Sequence, residues 1–161
     1  MDDPELLERL AESERRIIAG VDACIPSWVV ANVARIIDAW GRFDADQAAR
    51  VMAEADELAA DVAERVASEL RNLFATDVEA QRSTPLQIVR SAYREPTELL
   101  AHQGIPGVLR DAFDERAAPD DHYDLSPRAL GDLGDPDLGP ALLAWGMAKS
   151  RLVRSRRNPA E

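Results

Sequence analysis

Apolar residues recur at helical spacing along most of the chain, and no stretch alternates strictly between apolar and polar positions. The strongest pattern lies between Asp44 and Arg82, a stretch with no Gly and no Pro. Its apolar stripe runs Val51, Ala55, Leu58, Val62, Val66, Leu70, Leu73, Phe74 and Val78. Asp44 is a fitting N-cap, and Gln47 stands three residues on, as a capping box requires. The spacing predicts one helix over residues 45–82, about 58 Å long at 1.5 Å per residue. Val51, Val62 and Leu73 repeat every 11 residues, a period that predicts a straight or slightly right-handed packing seam. So long a helix needs a partner surface along most of its length. The seam residues Val51, Leu58, Val62, Val66, Leu70 and Leu73 are therefore the first candidates for an interface.

Upstream, Pro4 fits the first turn of a helix running to about Ala19, with Gly20 as its stop. Pro26 then opens a second helix to about Trp40, with Gly41 at the position after its end. Glu5–Arg9, Glu12–Arg16, Asp46–Arg50 and Asp61–Arg65 are spaced for ion pairs along one helix. Downstream, Thr84-Pro85-Leu86-Gln87 carries an N-cap, a proline at the first helical position and a box-closing Gln. Pro96 ends or kinks that helix near Ala92. A short helix follows from Val108 to about Ala117, with Leu109 and Phe113 on one face. Residues 118–139 are turn-rich, with one helical turn expected from Ser126-Pro127. The last helix runs from about Gly139-Pro140 to Arg156, with Leu142, Trp145, Leu152 and Val153 on its apolar side.

These elements define an all-α fold: a helical hairpin or bundle built on the long helix, with a compact C-terminal helical module. The expected units are residues 1–82, 84–157 and a frayed tail at 158–161. Composition agrees. The chain holds 27 alanines and is 5% aromatic, which suits closely packed helices. Its net charge is −11. Residues 1–80 hold 18 acids and 8 bases, a balance of −10, and the remainder holds 12 and 11, a balance of −1. An acidic surface repels nucleic acid and anionic lipid. The acidic start, Met1-Asp2-Asp3-Pro4-Glu5, is unlike a basic secretory leader. No apolar run approaching about 20 residues stands out as a membrane span. The single cysteine, Cys24, excludes an internal disulfide and fits a reducing cytoplasm.

Candidate chemistry is sparse. His102 and His122 with one cysteine do not form a zinc ligand set. His102 reads as a partner for a helix C-terminus. The acids from Asp120 to Asp137 lack the order of a calcium loop and read as caps of turns. Cys24, placed just before the helix opened by Pro26, is either a thiol lowered by a helix N-terminus or a small buried residue, the commoner case. No phosphate-binding loop, dinucleotide fingerprint, nucleophile elbow or zincin motif occurs. No catalytic residue, cofactor or metal is assigned. The basic cluster Lys149, Arg151, Arg154, Arg156 and Arg157 is read first as dipole compensation and docking onto the chain's own acids. An acidic protein partner ranks next and nucleic acid last. Trp28, Trp40 and Trp145 are read as core or interface anchors.

Thr84-Pro85-Leu86, Val89-Arg90, Pro96-Thr97, Leu100, Gly104-Ile105-Pro106, Arg110-Asp111, Phe113, Pro119-Asp120-Asp121, Tyr123, Leu125, Pro127 and Trp145-Gly146-Met147-Ala148-Lys149 form a pattern over residues 84–149. In these residues the chain resembles a set of small, uncharacterised actinobacterial helical proteins. The resemblance implies a lineage and a cytoplasmic helical fold, and no reaction. One Lys against 18 Arg is compatible with a GC-rich genome. The leading functional expectation is a non-enzymatic scaffold or adaptor that buries the Val51–Val78 seam against a second copy or another cytoplasmic protein. The alternative is a small-molecule site or enzyme pocket between residues 84–117 and the final helix, lined by Tyr93, His102, Tyr123 and Trp145.

Overall fold

A computed structural model describes residues 1–105 and 125–159. The protein is all-α. Its first element is one helix, α1 (Pro4–Trp40), rather than two. Asp3 caps it, its side chain accepting a hydrogen bond from the Glu5 N–H. Gly41 ends it at φ 65°, with its N–H donated to the Ile37 carbonyl. Gly20 and Pro26 both lie inside the helix, so the expected stop at Gly20 and start at Pro26 are corrected. Proline in a helix interior costs about 3 kcal/mol through its missing N–H and the clash with the preceding turn. Ile17, Val21, Ile25, Val29, Val33 and Ile36 are all fully buried on one stripe through the same stretch. Each buried side chain of this size contributes roughly 1.5–3 kcal/mol, and together they outweigh the proline.

Residues 41–44 turn the chain back into α2 (Ala45–Ala75). The capping box forms as the sequence predicts. Asp44 accepts from the Gln47 N–H at 2.8 Å, and the Gln47 side chain accepts from the Asp44 N–H at 3.1 Å. The helix is shorter than expected, 31 residues or about 46 Å, and it ends at Ala75 instead of continuing to residue 82. Side chains that satisfy the terminal backbone groups explain the stop. The Thr76 hydroxyl donates to the Asn72 carbonyl, and the Gln81 amide donates to the carbonyls of Leu73 and Thr76. Asp77 accepts from the Glu79 N–H and starts a turn.

The seam is consumed inside the chain. Val51, Val62, Val66, Leu70 and Leu73 are all buried in the core shared with α1, and Leu58 is half-buried. Ala55, Ala59, Ala63 and Ala67 form a buried row beside them, where small side chains let two helices come close. As a surface for a second molecule, the Val51–Leu73 seam is therefore corrected: α1 covers it.

Thr84 and Gln87 form their capping box at the start of α3 (Pro85–Ser91). Ala92 closes that helix, and α4 (Arg94–His102) begins with Pro96 in its first turn, where a missing N–H costs little. The helix expected near 108–117, with Leu109 and Phe113, lies outside the described residues. A 3-10 turn occupies Leu130–Leu133, three residues later than expected. Its start is held by Asp132, whose carboxylate accepts from the N–H groups of Arg128 and Ala129. The last helix, α5 (Leu138–Arg157), buries Leu138, Ala141, Trp145, Ala148 and Leu152. Leu138 meets α1 at Gly20, and Arg156 near the other end of α5 meets Asp2. Thus α5 runs antiparallel to the N-terminal half of α1. Trp145 packs against Phe74 of α2, with ring centroids 5.8 Å apart.

With α1 continuous, it contains an 18-residue window of mean hydropathy 1.6, apolar and long enough by composition to cross a bilayer. The expectation that no such stretch exists is corrected. Core helices of soluble proteins share this property, and part of the window is buried inside the molecule.

Gly20 is a contact glycine. A Cβ there would sit 2.5 Å from Leu138 Cδ2 and 3.0 Å from an Asp135 carboxylate oxygen. Leu138 is fully buried and has little room to swing away. Gly20→Val is expected to destabilise the fold by about 2 kcal/mol through overpacking, read as a lowered midpoint in chemical denaturation. A neutral or stabilising result would remove the close α1–α5 approach.

Candidate functional site

The N-terminal turns of α1 and the outer flank of α5 leave an open groove of about 770 Å³ between them. Leu6, Ser13, Pro140, Ala144 and Met147 line it together with Arg9, Arg16 and Arg151. Beyond the ridge made by Met147, a second shallow concavity of about 650 Å³ carries Gly139, Leu143, Gly146 and Ser150. Among the described residues, apart from the chain's first, the most exposed large apolar side chains are Leu143 at 66%, Met147 at 49% and Leu7 at 41%. Leu143 and Met147 lie one turn apart on the side of α5 opposite its core face.

Charge around this surface differs from the acidic average. Arg16 bridges to Asp135 at 2.6 Å and Asp137 at 3.4 Å, fastening α1 to the start of α5. The Asp137 N–H and Arg16 together hold the Asp135 carboxyl below its usual range. Arg9 pairs with Glu5. Arg15, Arg151 and Arg154 are exposed and hold no ion pair among the described residues.

The basic cluster divides. Arg156 donates to both oxygens of Asp2 and of Asp77, tying the chain's start to the turn after α2, and Arg157 reaches Glu79 at 3.7 Å. Both aspartates are held below their usual range by that guanidinium. Lys149 lies over the Trp145 ring at 4.9 Å, and burial lowers its pKa. Internal docking thus accounts for Arg156, Arg157 and Lys149, and leaves Arg151 and Arg154 facing solvent. Among the described residues the docking partners are Asp2, Asp77 and Glu79.

Two expected ion pairs are replaced by longer-range ones. Arg16 meets Asp135 and Asp137 instead of Glu12, and Arg65 of α2 meets Glu95 of α4 at 2.6 Å instead of Asp61. The expected pocket lining does not assemble among the described residues. Tyr93 and Trp145 are buried in the core at 2% and 4%, and the Tyr93 hydroxyl and Trp145 Nε1 have no hydrogen-bond partner there. His102 is exposed at the end of α4. Tyr123, like His122, lies outside the described residues. Cys24 is in the middle of α1, not at a helix start, and burial and nearby Asp135 push its thiol pKa up, the opposite of nucleophile activation. Trp28 is anchored by donation from Nε1 to the Leu125 carbonyl at 2.7 Å. Of the acids after Asp124, Asp132 and Asp135 serve turns and Arg16.

The α5 surface escapes a reading by apolar stripe because Leu143 and Met147 sit among Gly139, Gly146 and Ser150. The available signal was two exposed-side apolar residues at i and i+4, opposite the Trp145 side.

No protein-family profile matches the chain, and no curated protein or solved structure matches it.

Glu14, on α1 next to the groove residue Ser13, is half-buried, and desolvation pushes its carboxyl up to about 7. In the fold it keeps its proton at pH values where the unfolded chain has already lost it. Stability is therefore full below about pH 4.5 and declines as pH rises to about 7. Glu14→Gln is expected to stabilise the protein at pH 8 by about 1 kcal/mol, discounted for solvent exposure, and to change little at pH 4. Paired thermal melts at the two pH values check this, and an equal effect at both would contradict it.

Proposed function

We propose that this chain is a non-enzymatic helical interaction protein whose docking surface is the outer face of α5 with the adjoining α1–α5 groove. The observation that carries the reading is the exposure of Leu143 and Met147 on a helix whose other face is fully packed. Exposed apolar groups beside an open groove mark interaction sites more often than isolated ones do. Arg151 and Arg154, unpaired among the described residues, supply charge at the edge that orients a partner more than it adds affinity. The Val51–Leu73 seam has no part in this reading, since α1 occupies it. Partner docking on α5 demands no catalytic group, cofactor or metal.

A photo-crosslinking amino acid placed at Leu143 in the producing cells tests the proposal, with the same group at exposed Asp56 on α2 as the control. Ultraviolet light is expected to yield a discrete higher-mass adduct from position 143 and none from 56. Absence of any adduct from position 143, or equal adducts from both, would overturn the assignment of α5 as the docking surface.

A further inference from the structure

We infer that the α1–α5 groove is a binding site for a single-chain amphiphile with a carboxylate head, a long-chain fatty carboxylate taken from free solution. The inference goes beyond partner docking: it concerns the groove alone and needs no contact at Leu143. On its α5 side the groove is lined by Pro140, Ala141, Ala144, Met147, Ala148 and Arg151. They follow one another at intervals of one, three, three, one and three residues, so they share one helix face. That face carries five apolar residues in succession and then a cation, about 16.5 Å along the helix from Pro140. The groove's volume of about 770 Å³ is within the range of about 300–1,000 Å³ usual for small-molecule sites, which are mostly apolar with a few charged groups that fix orientation.

Charge selects the head group. From Leu138 to Arg157, α5 carries five bases and no acid, in a chain whose net charge is −11. The groove lining holds the guanidinium groups of Arg9, Arg15, Arg16 and Arg151 against the carboxylates of Glu12 and Asp137. Asp137 is engaged by Arg16 at 3.4 Å, and the Ser13 hydroxyl donates to the Arg9 and Leu10 carbonyls. Arg151 is exposed and without an ion pair among the described residues. Leu138 lies at Gly20 and Arg156 at Asp2, so this antiparallel register sets Arg151 toward Leu6 and Arg9, at the end of the groove away from Arg16. Arg9 pairs with Glu5, but both residues are exposed, and such a pair is weak enough to exchange for a ligand. A carboxylate at this end accepts charge-assisted hydrogen bonds from Arg151 and Arg9. Its chain then runs over Ala148, Met147 and Ala144 toward Pro140. Glu12, one turn on from Arg9, repels a carboxylate placed nearer the middle, and Arg151 repels a cationic head. At about 0.15 M salt the acids elsewhere in the chain are screened beyond about 8 Å, so the groove's own charges decide.

The test is calorimetric titration of the purified full chain at physiological salt with tetradecanoate, whose extended length matches the groove, below the concentration at which it forms micelles. Saturable binding is expected. Arg151→Glu removes the head-group contact, and Ala144→Trp, at an exposed position, fills the path of the chain. Each is expected to weaken binding at least about tenfold, while Arg50→Glu, on the exposed surface of α2, leaves it unchanged. Tetradecyltrimethylammonium, with the same chain and the opposite charge, is expected to bind more weakly than tetradecanoate. Circular dichroism keeps folding separate from binding. Absence of saturable binding, binding that survives either Arg151→Glu or Ala144→Trp, or equal binding of the cationic analogue overturns the inference. Flotation with phosphatidylglycerol vesicles separates the two sources of an anionic amphiphile: attachment to vesicles without binding of free tetradecanoate would also overturn it. If tetradecanoate does not bind while the Leu143 crosslinker still captures a protein, the groove site falls and the α5 docking surface stands. If tetradecanoate binds as expected and no adduct forms, the groove site stands and the docking surface falls.

Discussion

An uninterrupted α1 is the constraint on which the molecule depends. It is about 55 Å long, and it offers the one surface that α2 follows and α5 joins. Its fully buried stripe from Ile17 to Ile36 meets the Val and Ala row of α2, and this pairing forms a large part of the core. The short turn through Gly41 and the Asp44 cap makes the two helices antiparallel neighbours. Were α1 to bend at Gly20 or Pro26, the stripe would split into two short faces. The α2 seam would then need another molecule to cover it.

The same spine determines what is left for function. α5 lies against only the N-terminal half of α1, fastened at one end by Arg16 to Asp135 and at the other by Arg156 to Asp2 and Asp77. These ion pairs are partly exposed to solvent, which screens them and keeps the contribution of each modest. Their role is to set the register of α5, while Leu138 against Gly20 and Trp145 against Phe74 supply its packing. A helix held this way has one buried face and one free face. Leu143 and Met147 are on the free one. Their exposure, rather than the length of any helix, is what points to a partner.

Much of this architecture was legible in the residues. Asp44 with Gln47, Thr84-Pro85 with Gln87, and Gly41 each mark their helix ends through local hydrogen bonding, which tertiary context does not override. The all-α class follows from the same periodicity. The two breaks expected in α1 fail for one reason: the apolar period around Gly20 and Pro26 outweighs their local punctuation. Ile17, Val21, Ile25, Val29 and Val33 keep a four-residue step straight through Gly20 and Pro26, and that continuity was visible in the sequence. Beyond Ala75 the error has the opposite sign. No Gly or Pro marks the stop, because Thr76, Asp77 and Gln81 make it with side-chain hydrogen bonds that few spacing rules register. The candidate site was the least legible part. Which face of α5 stays uncovered depends on where α1 lies, and the partners of Arg16, Arg65 and Arg156 are distant in sequence.

The most direct test of the continuous spine is a distance between nitroxide labels at exposed Glu8 and Asp38, in a chain with Cys24 replaced by Ser. One helix through Gly20 and Pro26 separates them by about 45 Å, measured by pulsed electron resonance in dilute solution. A distribution centred below about 25 Å would mean two helices folded back on each other and would contradict the account from its first element onward.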